Sequence, residues 1–124
     1  MKLRLRGNTL RLRLTRAEVD RLGSNAGRVE ESVRFGPTAS LLYSIERDDV
    51  RAPRAELEGR AIRVIAPHTL VEAWAKSDQV GFDSEQATGD GQVLRILVEK
   101  DWNCLTSRPG EEDVDTFPNP NTSC

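Results

Sequence analysis

Five cations stand on alternate positions near the start of the chain: Lys2, Arg4 and Arg6, then Arg11 and Arg13 beyond a Gly7-Asn8 pair. Side chains two apart on an extended strand project from one face. This spacing therefore predicts one surface able to hold phosphates or carboxylates and release their counterions. A second chemistry lies at the other end. Cys104 and Cys124 are twenty residues apart, and a chain folded back between them would allow a disulfide, or two thiolate ligands for a metal such as zinc, with His68 or Asp115 completing the set. In a reducing compartment the same residues would be two free thiols. His68 is the single histidine, so nucleophile-and-base catalysis would have to join it to Cys104 or a nearby serine or threonine. The carboxylates of "EEDVD" (111–115) could hold a cation, although a charge run in a tail is usually solvated.

These residues need elements to position them. In "KLRLRGNTLRLRLT" (2–15) leucines alternate with the cations on both sides of Gly7-Asn8, which predicts a hairpin with a two-residue primed turn. Leu5 would then pair with Leu10 and Leu3 with Leu12, leaving Lys2, Arg4, Arg6, Arg11 and Arg13 on the opposite face. Thr15-Arg16-Ala17-Glu18 is a capping box opening a short helix to about Leu22, with Val19 and Leu22 inward and Gly23 as a left-handed stop. Two strands, "RVEESVRF" and "SLLYSIER", follow across Gly36-Pro37-Thr38.

About 52 residues on, the same order returns. Gly7 aligns with Gly59, Leu5 with Leu57, Leu10 with Ile62, Leu12 with Val64, Val19 with Val71 and Leu22 with Trp74. Val29 is matched to Val80, and "IERD" to "VEKD", with small drifts in the shift. The second unit is read as a hairpin over 54–66, a helix opened by Pro67 and ending near Lys76, and strands over 79–86 and 92–99. The expected fold is α+β, mostly antiparallel β with two short helices: a tandem duplication of a ββαββ unit about a pseudo-twofold axis. Residues 1–124 form one domain in this reading, with units over about 1–50 and 53–102 and a partly ordered acidic tail over 103–124.

The duplication also supplies a competing account of the arginines. Glu56 and Glu58 occupy the places of Arg4 and Arg6 in the second unit. If the two hairpins pack at the axis, carboxylates meet guanidiniums, relieving like-charge pairs that cost up to about 1 kcal/mol each.

A net charge of −2 with 31% charged residues describes a folded domain rather than a disordered or nucleic-acid-coating chain. Its distribution is uneven: residues 1–52 carry eleven Lys/Arg against seven acids, and the remainder seven against thirteen. No apolar run is long enough for a signal peptide or membrane span, so the expected compartment is the cytoplasm. The length suffices for a core without metals or crosslinks, so no cofactor is called for.

The stretch "GRAIRVIAPHTLVEAWAKSDQVGF" (59–82) resembles the swapped-hairpin domain of the AbrB-like transition-state regulators. The resemblance covers about 45 residues and implies two interleaved units, usually a dimer, and DNA binding through a basic surface; with both units in one chain it implies a monomer. Over nearly its whole length the chain also resembles a small family of bacterial proteins of unknown function, through "MKLRLRGN", "RLRLT", "VEKDW" and "FPNP". That resemblance implies a folding unit that includes the tail and supplies no catalytic residue. No paired Cys-x-x-Cys knuckle, nucleophile elbow, phosphate loop or dinucleotide fingerprint is present. The residues thus point to non-enzymatic binding or regulation, with an acidic protein or nucleic acid as the partner of the N-terminal hairpin. Two alternatives stay open: a metal-binding or thiol-based small enzyme centred on Cys104 and Cys124, and a DNA-binding module using the basic hairpin.

Overall fold

The computed structural model describes residues 1–102; the expected tail, with Cys104, Cys124 and the acidic run at 111–115, lies outside the described residues. The first hairpin joins β1 (Lys2–Arg6) to β2 (Thr9–Leu14). Leu3 stands opposite Leu12 and Leu5 opposite Leu10, so alternation in the sequence and register in the ladder agree on the inward face. Gly7 is left-handed at φ +54° and, among the described residues, none other than glycine has positive φ. That combination is a type II′ turn, in which only the first central residue must be left-handed.

β2 runs into α1 (Arg16–Gly23), closed by the expected capping box. The Glu18 amide donates to Thr15 Oγ1 at 3.4 Å and the Thr15 amide to Glu18 Oε1 at 2.9 Å, satisfying two orphan donors. Then come β3 (Arg28–Arg34), β4 (Ser40–Asp48), β5 (Arg54–Glu58), β6 (Ala61–Pro67), α2 (His68–Ala75), β7 (Gly81–Ala87) and β8 (Val93–Lys100). Gly23 is not the left-handed stop expected of it. Ser24 ends α1 instead, its amide and hydroxyl both donating to the Arg21 carbonyl at 3.3 and 2.7 Å.

The order ββαββ occurs twice, yet neither half builds its own sheet. One four-stranded sheet runs β1-β2-β8-β7 and the other β3-β4-β6-β5. Each consists of two antiparallel hairpins, one from each half, joined by a parallel seam: β2 beside β8, and β4 beside β6. The seams have equivalent registers. Leu12 lies beside Val98 in one and Val64 beside Ile45 in the other, the same pair with the halves exchanged. The ladders also correct one match: Val29 corresponds to Phe82, not Val80. Both Val29 and Phe82 are buried, whereas Val80 is 53% exposed ahead of β7.

Inward residues of both sheets and both helices form one cluster, with Leu12, Leu14, Leu22, Ile45, Val64, Val71, Trp74, Ile96 and Val98 almost wholly buried. Each such side chain contributes about 1.5–3 kcal/mol relative to exposure. Trp74 meets Phe82 edge to face at 5.3 Å and donates its indole N–H to the Val80 carbonyl at 3.2 Å. The sheet edges are tied by polar groups. The Gln86 amide on β7 accepts from the Ala55 amide at 2.8 Å and donates to the Ala55 carbonyl at 2.9 Å. Among the described residues no helix is long and apolar enough to cross a membrane.

Candidate functional site

β1 and β2 bring all five expected cations to one outward face. Arg4 stands opposite Arg11 and Lys2 opposite Arg13, so like charges confront each other across the hairpin. β8 answers part of this: its parallel register sets Glu99 beside Arg13 and Leu97 beside Arg11. Arg11 Nε and Nη2 reach the two Glu99 oxygens at 2.6 and 3.1 Å, a bidentate pair with both side chains about one-fifth exposed. Lys2 Nζ lies 3.0 Å from Asp101 Oδ2 with its own side chain largely in water. Arg13 is half-buried, and Arg4 and Arg6 are exposed. The ladder adds a sixth cation, Arg95 beside Thr9, which lies 3.6 Å from Asp83. Nothing local in the sequence announces Arg95, because it joins the face through a seam between distant strands.

Arg4 and Arg6 do not meet Glu56 and Glu58. The hairpins carrying them belong to different sheets, and on each outer face carboxylates of the same sheet take up part of the cationic charge. On the second sheet Glu56 accepts from Arg63 at 3.3 Å and pairs with Arg54 at 2.9 Å. Glu46 binds Arg28 at 3.2 Å and also Arg63. The hydrogen bond that Arg63 donates to Glu46 holds the guanidinium pKa above its ordinary value.

A second polar cluster lies where β1 approaches β3. The Met1 ammonium, fully buried, donates to Glu18 Oε2 at 2.6 Å and to Glu31 Oε1. The Tyr43 hydroxyl donates to Glu31 Oε2 at 3.1 Å and stands 3.0 Å from the Met1 carbonyl oxygen. Burial works against the charged amine, but hydrogen bonds and charge from Glu18 and Glu31 outweigh it and raise its pKa. Burial likewise opposes the Glu18 carboxylate, but hydrogen bonds from the ammonium and Thr15 hold its pKa below the usual value. Burial and the hydrogen bond to Glu31 push Tyr43 up. Sequence reasoning assigned Glu18 only to the cap. The signal it passed over was Glu31, a charge at the inward parity of β3 between Val29 and Val33.

A cleft of about 660 Å³ opens between the helices and the end of β8, lined among others by Thr15, Arg16, Asp20, Ser77, Asp78, Lys100 and Trp102. Its charges are mixed, and His68 is not in its wall but exposed at the start of α2. Among the described residues no group of three or more His, Cys, Asp or Glu is placed to hold a metal ion. The thiol or metal site expected at Cys104 and Cys124 lies outside the described residues.

A family model described as a family of unknown function (DUF7009) matches residues 1–121, and the chain belongs to that family. No curated protein and no solved structure matches the chain. The resemblance of 59–82 to the AbrB-like domain is thus not shown, and the full-length resemblance is the one the family model supports.

Proposed function

We propose that this member of the family is a non-enzymatic binding protein whose first sheet presents its outer face to an acidic peptide segment. The observation that carries the reading is the cation density of one outward face, where exposed Lys2 and Arg4 stand opposite half-buried Arg13 and Arg11 and exposed Arg6 lies beside them. Like-charge pairs directly opposite in a sheet are unfavourable; Glu99 and Asp101 offset part of this at Arg11 and Lys2, and an anion along the exposed edge strand at Arg4 would offset more. Alternate carboxylates of an extended peptide recur about every 6.6 Å, the repeat of alternate residues along β1 and β2. A short acidic segment fits better than a long polyphosphate, because Glu99, Asp101 and Asp83 border the same cations. Aromatic residues are 5% of the chain, too few to argue for a single-strand stacking platform. The equivalent registers of the two seams support a tandem duplication as the origin of the fold.

The test is fluorescence anisotropy with a labelled acidic peptide at low salt, comparing wild type with an R4Q/R6Q variant. The expected loss is about tenfold, from two exposed pairs worth up to about 1 kcal/mol each. Equal affinity of the two proteins, or binding of duplex DNA in preference to the peptide, would overturn the reading.

A further inference from the structure

We propose that two copies of this chain join through their edge strands, β1 of each lying antiparallel to β5 of the other, with Leu5 opposite Leu57 and Arg4 opposite Glu58. The inference stands apart from the peptide reading, because it concerns the backbone edges of both sheets and a second copy of the chain.

β1 and β5 are outer strands of their sheets, and hairpin geometry fixes what they offer. Across a two-residue turn the flanking residues exchange hydrogen bonds and the next pair does not. Arg6 and Thr9 flank the first turn, and Glu58 and Ala61 the equivalent one. Leu5 and Leu57 therefore each direct an N–H and a C=O out of the sheet. Ala55, two residues before Leu57, points the same way: its amide and carbonyl meet the Gln86 side chain beyond the sheet edge. Among the described residues no backbone group meets Leu5 or Leu57 on that side. Their side chains are uncovered too. At the helix ends of β2 and β6, Leu14 and Ala66 are wholly buried, but Leu5 and Leu57, of the same inward parity, are 59% and 74% exposed.

Charge selects the occupant. Antiparallel pairing with Leu5 opposite Leu57 sets Arg4 against Glu58 and Arg6 against Glu56, so the sign reversal between the halves becomes attraction between copies. β1 against β1 would oppose cation to cation, and β5 against β5 carboxylate to carboxylate, both unfavourable. Arg4 and Glu58 are exposed and carry the pairing; Arg6 keeps an interaction within its own chain. The ends of the two sheets agree with this. The Asn8 amide donates to the Val93 carbonyl at 2.6 Å and the Arg60 guanidinium to the Thr38 carbonyl at 2.7 Å, so in each sheet both turns share the end away from its helix. α1 and α2 pack on each other at the opposite end. β1 and β5 thus open at one end of the molecule in equivalent places. A twofold axis there brings β1 to β5 and β5 to β1 at once, closing the assembly as a dimer.

The experiment is sedimentation velocity of the full-length chain over a wide range of concentration, with melting curves to show that each variant is folded. Wild type should be a concentration-dependent dimer. R4E sets carboxylate against carboxylate at both contacts, and E58R sets guanidinium against guanidinium. Each variant alone should dissociate at least about tenfold more readily than wild type. An equimolar mixture of R4E and E58R should regain the dimer, because each reversed charge then meets its opposite at both contacts. A wild type that stays monomeric would overturn the proposal, as would a dimer that neither variant weakens, or a mixture that stays monomeric. Growth beyond the dimer would overturn the twofold closure and replace it by an open chain of β1-to-β5 contacts.

Discussion

The Met1 ammonium has exchanged water for two carboxylates, and that exchange sets how stability should depend on pH. Glu18 is held below its ordinary value of 4.5, so its contribution is complete above that pH and is lost as pH falls through the folded-state value. The Met1 amine is held above 8.0, so its contribution is complete below that pH and is lost as pH rises through the folded-state value. Melting temperature should therefore show a plateau between these limits and fall on both sides. Glu18→Gln keeps a capping-box acceptor for the Thr15 amide but leaves the buried ammonium with one carboxylate and an amide in place of the other. We expect about 3 kcal/mol of destabilisation near neutral pH and a flatter acid limb, read by thermal melts from pH 3 to 10. Unchanged melting with an unchanged profile would show that the pair contributes nothing. Gly81→Ala tests a contact of another kind. A Cβ there would lie 2.4 Å from the Val98 carbonyl oxygen, a backbone atom that cannot rotate away, so we expect a loss of about 1–3 kcal/mol in denaturant titration.

Hairpins and helices were the parts most legible in the sequence, because their signals are local. Leucine alternation around Gly7-Asn8 carried the register of β1 and β2, and Thr15 with Glu18 marked the start of α1. The matched turn glycines make a symmetric prediction: Gly7 and Gly59 both have φ +54° with open space around the Cβ position. Gly7→Ala and Gly59→Ala should therefore each cost about 1–2 kcal/mol through backbone strain alone, with near-equal shifts in urea midpoint. A large cost at one and none at the other would break the equivalence of the hairpins. Thr15→Ala should cost about 1 kcal/mol, whereas the equivalent cap residue of α2, Pro67, makes no side-chain cap to lose. What the sequence did not disclose was the company each hairpin keeps. Sign reversal between Arg4, Arg6 and Glu56, Glu58 suggested that the first hairpins of the halves face one another. In fact each is seamed to the second hairpin of the other half, and Glu99 and Asp101 supply the compensation. Parallel pairing between strands with no connecting turn leaves no short-range pattern, so neither the seam nor Arg95's place on the cationic face could be found by periodicity.

At the scale of the molecule, interleaving predicts that the two halves fold and melt as one cooperative object. Every sheet takes a hairpin from each half, and Arg11 reaches Glu99 across 88 residues of chain. A half removed from its partner would expose Leu12, Ile45 or Val64, each nearly fully buried in the whole, and would be left with two isolated hairpins, which are marginal in water. A chain of residues 1–52 should therefore lack a cooperative thermal transition by circular dichroism, as should 53–102. An equimolar mixture of the two should regain one, because every seam in the fold joins one fragment to the other. Cooperative melting of either fragment alone would mean that each half is an independent domain and that the seams only dock them. Because the seams close long loops before they gain native contacts, refolding of the intact chain should fall in the millisecond-to-second range rather than the microsecond range of helical bundles. Arg11→Ala and Glu99→Ala, which weaken the β2–β8 seam without touching either turn, should mainly accelerate unfolding if the seam forms after the transition state and slow refolding if it forms before. Stopped-flow denaturant jumps distinguish the two, and so place the joining of the halves before or after the rate-limiting step.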